Sequence, residues 1–134
     1  MDEAEQKRQP NLNDYLAGGL LSNGLVWMWI IALGYLANLS PTLSPAILAD
    51  LSYVIYLVAG GLASYLVCKR AHSRHIMVAF RLIAIEWVFT VILMLSMAAE
   101  PSIGMAVALL ICFTMSGIAG AYLALRSQLR RRQA

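Results

Sequence analysis

Residues 76–98 read IMVAFRLIAIEWVFTVILMLSMA, and the only charges in that run are Arg81 and Glu86. A helix crossing the hydrocarbon core of a bilayer needs about 20 mostly apolar residues, and this run has that length. It shows no polar–apolar alternation, and an open sheet cannot span lipid, so a strand reading fails. Three more runs of the same kind stand at 16–39, 51–68 and 103–125. The expected fold is therefore all-α, a single integral membrane domain over 1–134 built as a four-transmembrane-helix bundle. The remainder is a polar head, three short loops and a basic tail at 126–134. None of these pieces is long enough to bury a core of its own.

Composition agrees. Of 134 residues, 60% are hydrophobic and 13% charged, against about 45–50% and 25% in ordinary globular chains. So few charges cannot coat a soluble globule. The same figures exclude a disordered tail, a disulfide scaffold and a nucleic-acid-binding module. The first apolar run differs from a signal peptide. Its head carries Asp2, Glu3 and Glu5 beside Lys7 and Arg8, and the run outlasts the 7–15 residues of a signal h-region. A retained helix is expected.

Breakers fall between the runs. Ser40-Pro41 closes the first helix, and Pro45 is expected to keep the following loop irregular. Residues 69–75 (KRAHSRH) part the second helix from the third, and Glu100-Pro101-Ser102 makes a reversal before the fourth. Charge placement orients the chain. With alternating helices, Lys7, Arg8, Lys69, Arg70, Arg74, Arg126, Arg130, Arg131 and Arg132 share one side, and the other side holds only Asp50 and Glu100. The positive-inside rule then puts both termini in the cytoplasm, as in a bacterial inner membrane. Lys69, Arg70, Arg74, Arg81 and Arg130–Arg132 are expected to meet anionic headgroups there, each contributing about 1 kcal/mol.

The two halves are alike. Gly60 to Lys69 (GGLASYLVCK) matches Gly117 to Arg126 (GIAGAYLALR) at an offset of 57, and Trp27 and Pro41 match Trp87 and Pro101 at an offset of 60. Two tandem helical hairpins explain this, with a pseudo-axis along the membrane normal. Shared composition at inward-ending helix termini explains it too. Small residues also recur every fourth position in the fourth helix: Gly104, Ala108, Cys112, Ser116, Gly120 and Ala124. Gly60 and Ser64 repeat that spacing in the second helix, and Gly19, Asn23, Gly34 and Asn38 lie along one side of the first. Such stripes let helices approach closely, and helix packing is the preferred reading over a ligand groove. The partner helix belongs either to this chain or to another.

Arg81 lies one to two turns from the helix end, within reach of the headgroups for a long side chain. Glu86 lies near the midplane, where a short carboxylate cannot snorkel. It must be protonated, paired, or hydrated in a cavity. Arg81 is not the partner, because five residues turn a helix by about 140°. At the depth of Glu86 the expected neighbours are Trp27, Gly60, Thr114 and Ser116, with Trp87 and Thr90 completing a polar-aromatic patch. Glu86, Thr90, Thr114, Ser116 and Trp87 are thus the candidate site.

Other chemistry is thinly represented. His72 and His75 read as loop charge, and Cys68 and Cys112 lie at different depths, so no disulfide is expected. No metal site, cofactor, phosphate-binding glycine loop, HExxH or Ser-His-Asp set is expected. The plan resembles small four-span bacterial membrane proteins of unknown function. It does so through Gly60-Gly61-Leu62-Ala63-Ser64 with Lys69-Arg70, and through Gly117-Ile118-Ala119-Gly120-Ala121. That resemblance brings no catalytic residues. Gly60-Gly61 and Glu86 also resemble the ATP synthase accessory subunit I in kind, but Phe89 and Thr90 stand where that family has a basic residue after the acid. The expected function is non-enzymatic: an accessory, assembly or structural subunit in a homo-oligomer or larger membrane complex. The alternative is a small proton-coupled transporter or ion-conducting oligomer using Glu86.

Overall fold

The computed structural model describes residues 9–97 and 102–134, and these form four long helices. They are α1 (Leu12–Leu39), α2 (Pro45–Arg70), α3 (His75–Met97) and α4 (Ile103–Gln133). Each is long and apolar enough to cross a membrane. At about 1.5 Å per residue the shortest, α3, is roughly 35 Å long. The head charges Lys7 and Arg8 and the Glu100-Pro101 reversal lie outside the described residues.

Four helix ends differ from expectation by two residues or more. α1 starts at 12 rather than 16, because Asp14 accepts the Asn11 backbone N–H at 3.0 Å and fixes the first turn. α2 starts at Pro45 rather than 51. Ser44 caps it by accepting from the Ala46 N–H at 3.3 Å, and proline suits the first turn, where its missing N–H has no helical partner. Pro45 therefore opens a helix instead of holding a loop irregular. The segment 126–134 is not a loose tail: α4 continues to Gln133. Arginine is a good helix former, and cations complement the C-terminal end of the helix dipole. Lys69 and Arg70 likewise belong to α2, which leaves only 71–74 as the turn into α3.

The helices run up, down, up and down, so their basic ends lie together. Around the bundle the order is α1, α2, α4, α3, and among the described residues no Cα of α1 comes within 8 Å of one of α4. That order corrects the expected symmetry. A two-fold axis along the membrane normal would exchange α1 with α3 and α2 with α4, and would set each pair on opposite corners. Here α1 packs beside α3 and α2 beside α4, so the hairpins lie side by side.

Core positions alternate steps of three and one along α4, along α2 from Tyr56 and along α3 as far as Glu86. On α4 they are Leu109, Cys112, Phe113, Ser116, Gly117, Gly120, Ala121 and Ala124. A two-residue-wide stripe of this kind faces two neighbouring helices at once. α2 and α4 meet so closely that a methyl on Gly120 would stand 2.6 Å from the Gly61 carbonyl oxygen and 2.9 Å from the Tyr65 nitrogen. Ser64 Oγ donates across the same seam to the Gly117 carbonyl at 2.7 Å. Of the expected stripe, Gly60, Ser64, Ser116 and Gly120 do pack. Gly104 does not: it is exposed, and a methyl there would meet only Ser102 Oγ at 3.9 Å. Ala108 is half-buried, so the seam opens away from the basic end. The outward faces carry large apolar residues, among them Met28, Ile31, Ile92 and Met115. Apolar surface this continuous is stable only against lipid or protein.

Candidate functional site

Glu86 is the central residue of α3, eleven positions from each end, and it is 0% exposed. Its place on the core stripe (Val78, Ala79, Leu82, Ile83, Glu86, Thr90) turns it into the bundle. Among the described residues neither carboxyl oxygen has a hydrogen-bond partner. Arg81 is exposed on the outside of α3, as the helical angle requires. The one ion pair among the described residues joins Arg70 to Asp14 at the basic end. An ionised Glu86 would therefore be a buried charge with nothing opposing it. Such a group is suited to holding a proton or to meeting a cation.

The residues around it come from α1. Gly18 and Gly19 bring that helix close. A methyl on Gly18 would stand 2.7 Å from Val67, and one on Gly19 would stand 2.9 Å from Phe89. One turn on, Ser22 and Asn23 are buried. The Ser22 side chain bears on the Glu86 carboxyl, while its hydroxyl lies 3.1 Å from the Gly19 carbonyl oxygen and donates there. Asn23 Nδ2 donates to the Gly19 carbonyl at 3.0 Å and to the Glu86 main-chain carbonyl at 3.1 Å. Thr90 Oγ1 lies 2.9 Å from Asn23 Oδ1 and 2.9 Å from the Glu86 carbonyl oxygen. Asn23 and Thr90 thus tie α1 to α3 beside the acid.

The expected members divide. Thr90 belongs to the site. Trp87 does not join it: its indole N–H donates to the Ala106 carbonyl at 3.2 Å and ties α3 to α4. Thr114 and Ser116 donate back along their own helix, to Leu110 at 2.7 Å and Cys112 at 2.7 Å, and neither bonds Glu86. Trp27 lies one turn further out than Asn23. The sequence reading missed Ser22 and Asn23 as neighbours of the acid. The available signal was depth: Asn23 is eleven residues into α1, as Glu86 is into α3.

Above Asn23 and Thr90 lies a crevice of about 480 Å³, running toward Leu33 and Ser102 at the end opposite the basic one. It occupies the gap between α1 and α4, the diagonal pair whose backbones stay apart. Trp27 and Tyr56 supply its aromatic walls, and Met94, Met105 and Leu109 much of the rest. Glu86 is one helical turn inward from Thr90 and does not itself line the crevice.

At the basic end a second polar cluster is structural. His75 is 8% exposed, and its Nε2 lies 3.0 Å from Gln128 Oε1. Gln128 Nε2 donates to the carbonyls of Lys69 at 3.2 Å and Ala71 at 2.8 Å. This corrects the reading of His75 as loop charge, whereas His72 is exposed. Lys69, Arg70, Arg74, Arg126 and Arg130–Arg132 are all exposed around this cluster.

No family model, curated protein or solved structure matches the chain. The two resemblances noted from sequence rest on their residues alone. The chain is a small membrane protein of four apolar helices.

Proposed function

We propose that the protein is a small proton-coupled carrier or ion pathway, with Glu86 taking up and releasing the proton. The observation that carries this reading is a wholly buried carboxyl, unpartnered among the described residues, at the midpoint of α3 and one helical turn from the crevice residue Thr90. An acid so placed is costly, and such groups mark ion and proton routes. The basic end then faces the cytoplasm of a bacterial inner membrane, with both termini inside. Its exposed cations rest on anionic headgroups, and the crevice opens to the opposite side. Catalysis has no part in this reading.

An accessory or oligomeric role is the second reading. Its sequence support is the small-residue stripes, which serve a partner helix either in this chain or in another. On α4 the stripe from Cys112 to Ala124 is used within the chain, against α2. What still favours a partner is the far half of α1, where a methyl on Gly34 would meet nothing within 4 Å and Asn38 is exposed. Purified protein in liposomes under an imposed pH gradient separates the readings. The carrier reading expects proton flux that Glu86→Gln abolishes while thermal stability is kept. Absent flux, or flux unchanged in the variant, overturns it. Co-purification with a larger complex would then support the accessory role.

A further inference from the structure

We infer that the crevice binds a monovalent organic ammonium ion with a compact apolar body, which exchanges with the proton of Glu86. The inference rests on the proposed proton-exchanging role of that acid and names the class of ligand that shares it.

The walls select the body. Val26, Ile30, Met94 and Leu109 are apolar, and Trp27 and Tyr56 add rings whose faces attract cations. A volume of about 480 Å³ falls in the range of small-molecule sites, about 300–1,000 Å³. The floor selects the head. Both Asn23 N–H groups are spent on the carbonyls of Gly19 and Glu86. The single Thr90 hydroxyl proton is spent on Asn23 Oδ1 or the Glu86 carbonyl. The floor therefore presents spare lone pairs and no spare proton, so it complements a donor. One helical turn from Thr90 stands the carboxyl, unpaired among the described residues. Among the described residues no Lys or Arg lines the crevice, and Tyr56 is its one titratable wall residue, so an anion finds no cation opposing it there.

The exchange balances in charge. An ammonium ion enters, its N–H takes the place of the Thr90 hydroxyl as donor to Asn23 Oδ1, and the head reaches Glu86. The carboxyl proton leaves to water, so one positive charge enters and one departs. No covalent bond other than O–H is broken.

The test uses the full chain in nanodiscs of zwitterionic lipid, titrated calorimetrically with 2-naphthylmethylammonium, neutral 2-naphthylmethanol and anionic 2-naphthylacetate. Saturable one-to-one binding of the ammonium is expected, at least tenfold tighter than the alcohol, with none of the carboxylate. About one proton should be released per ammonium bound, read from buffers of different ionisation enthalpy. Glu86→Gln, which keeps the side-chain volume, should remove both the discrimination and the proton release. Leu33→Trp, at a half-buried wall position, should weaken the ammonium and the alcohol alike. Equal affinity for ammonium and alcohol, or no saturable binding, overturns the inference. If Glu86-dependent proton flux persists in that case, the carrier reading stands and only the ligand class falls. If both are lost, both fall.

Discussion

Thr90 Oγ1 and Asn23 Oδ1 stand 2.9 Å apart across the α1–α3 interface, one turn from a carboxyl that has no partner among the described residues. Interhelical hydrogen bonds inside membranes contribute about 0.6 kcal/mol on average and seldom above 1.7. Thr90→Val should therefore cost about 0.5–1.5 kcal/mol in a reversible detergent unfolding titration. The larger effect should be on access. Asn23 and Thr90 line the crevice whereas Glu86 is buried and does not, so a hydrophobic carbodiimide should modify Glu86 several-fold faster in Thr90→Val and Asn23→Ala than in the wild type. Mass spectrometry of the α3 peptide reads the rate. Equal rates in all three proteins would show that the pair shields nothing.

Gly120 should be the least tolerant glycine. Two of the three atoms nearest its absent side chain are backbone, the Gly61 oxygen at 2.6 Å and the Tyr65 nitrogen at 2.9 Å, and backbone cannot rotate aside. Gly120→Ala should cost about 1–3 kcal/mol as overpacking, and Gly120→Leu should do more harm. Gly104→Ala, sixteen residues earlier on the same apparent stripe, should be neutral or slightly stabilising, since alanine is the better helix former by about 1 kcal/mol. Thermal unfolding of the three variants gives the comparison. Similar losses at 104 and 120 would mean that the seam continues to the far end.

The contrast between Gly104 and Gly120 also shows where sequence reading succeeds. Lipid forces every backbone group to be satisfied within a helix, so four apolar runs fix four helices almost without further information. Which positions of a stripe pack depends on how far two helices stay together. Depth was lost for a simpler reason. Counting α1 from 16 sets Trp27 opposite Glu86. Counting from 12, where the Asn11–Asp14 cap starts the helix, sets Asn23 there. A four-residue error at a helix end is one full turn, enough to replace an amide by an indole beside the acid. Gln128 was hidden differently, since it lies in an arginine-rich stretch whose charge reads as tail.

The Gln128 side chain should be worth more than any arginine around it. It caps α2 by donating to Lys69 and Ala71 carbonyls, and it holds His75 at the start of α3. Gln128→Ala leaves those partners without it and should cost about 1–3 kcal/mol. Amide exchange should quicken between 69 and 75, while the centre of α3 stays protected. Arg74 in the same turn has φ 56°, a left-handed conformation that glycine takes at no steric cost. Arg74→Gly should recover up to about 1 kcal/mol. Unchanged exchange near 71 in Gln128→Ala would show that the turn holds without the clamp.

Arg130, Arg131 and Arg132 are exposed on the last turn of α4, beside exposed Lys69, Arg70, Arg74 and Arg126. A rigid helical extension keeps its cations near the headgroups in a way that a disordered tail does not. Each cation near an anionic surface contributes about 1 kcal/mol. Replacing the three arginines by glutamine should therefore reduce retention of phosphatidylglycerol over phosphatidylcholine in native mass spectrometry, in steps with the number replaced. High salt should erase the wild-type preference, because exposed charges are screened over about 3 Å at 1 M. Arg81→Gln is the informative comparison. Its side chain starts about 9 Å from the end of α3, and its stem must snorkel to reach the same headgroups. If Arg81→Gln lowers retention as much as an arginine in 130–132 does, Arg81 is an anchor in the headgroup layer. If retention holds while the α4 variants lose it, the lipid contact is confined to the extension and the turn.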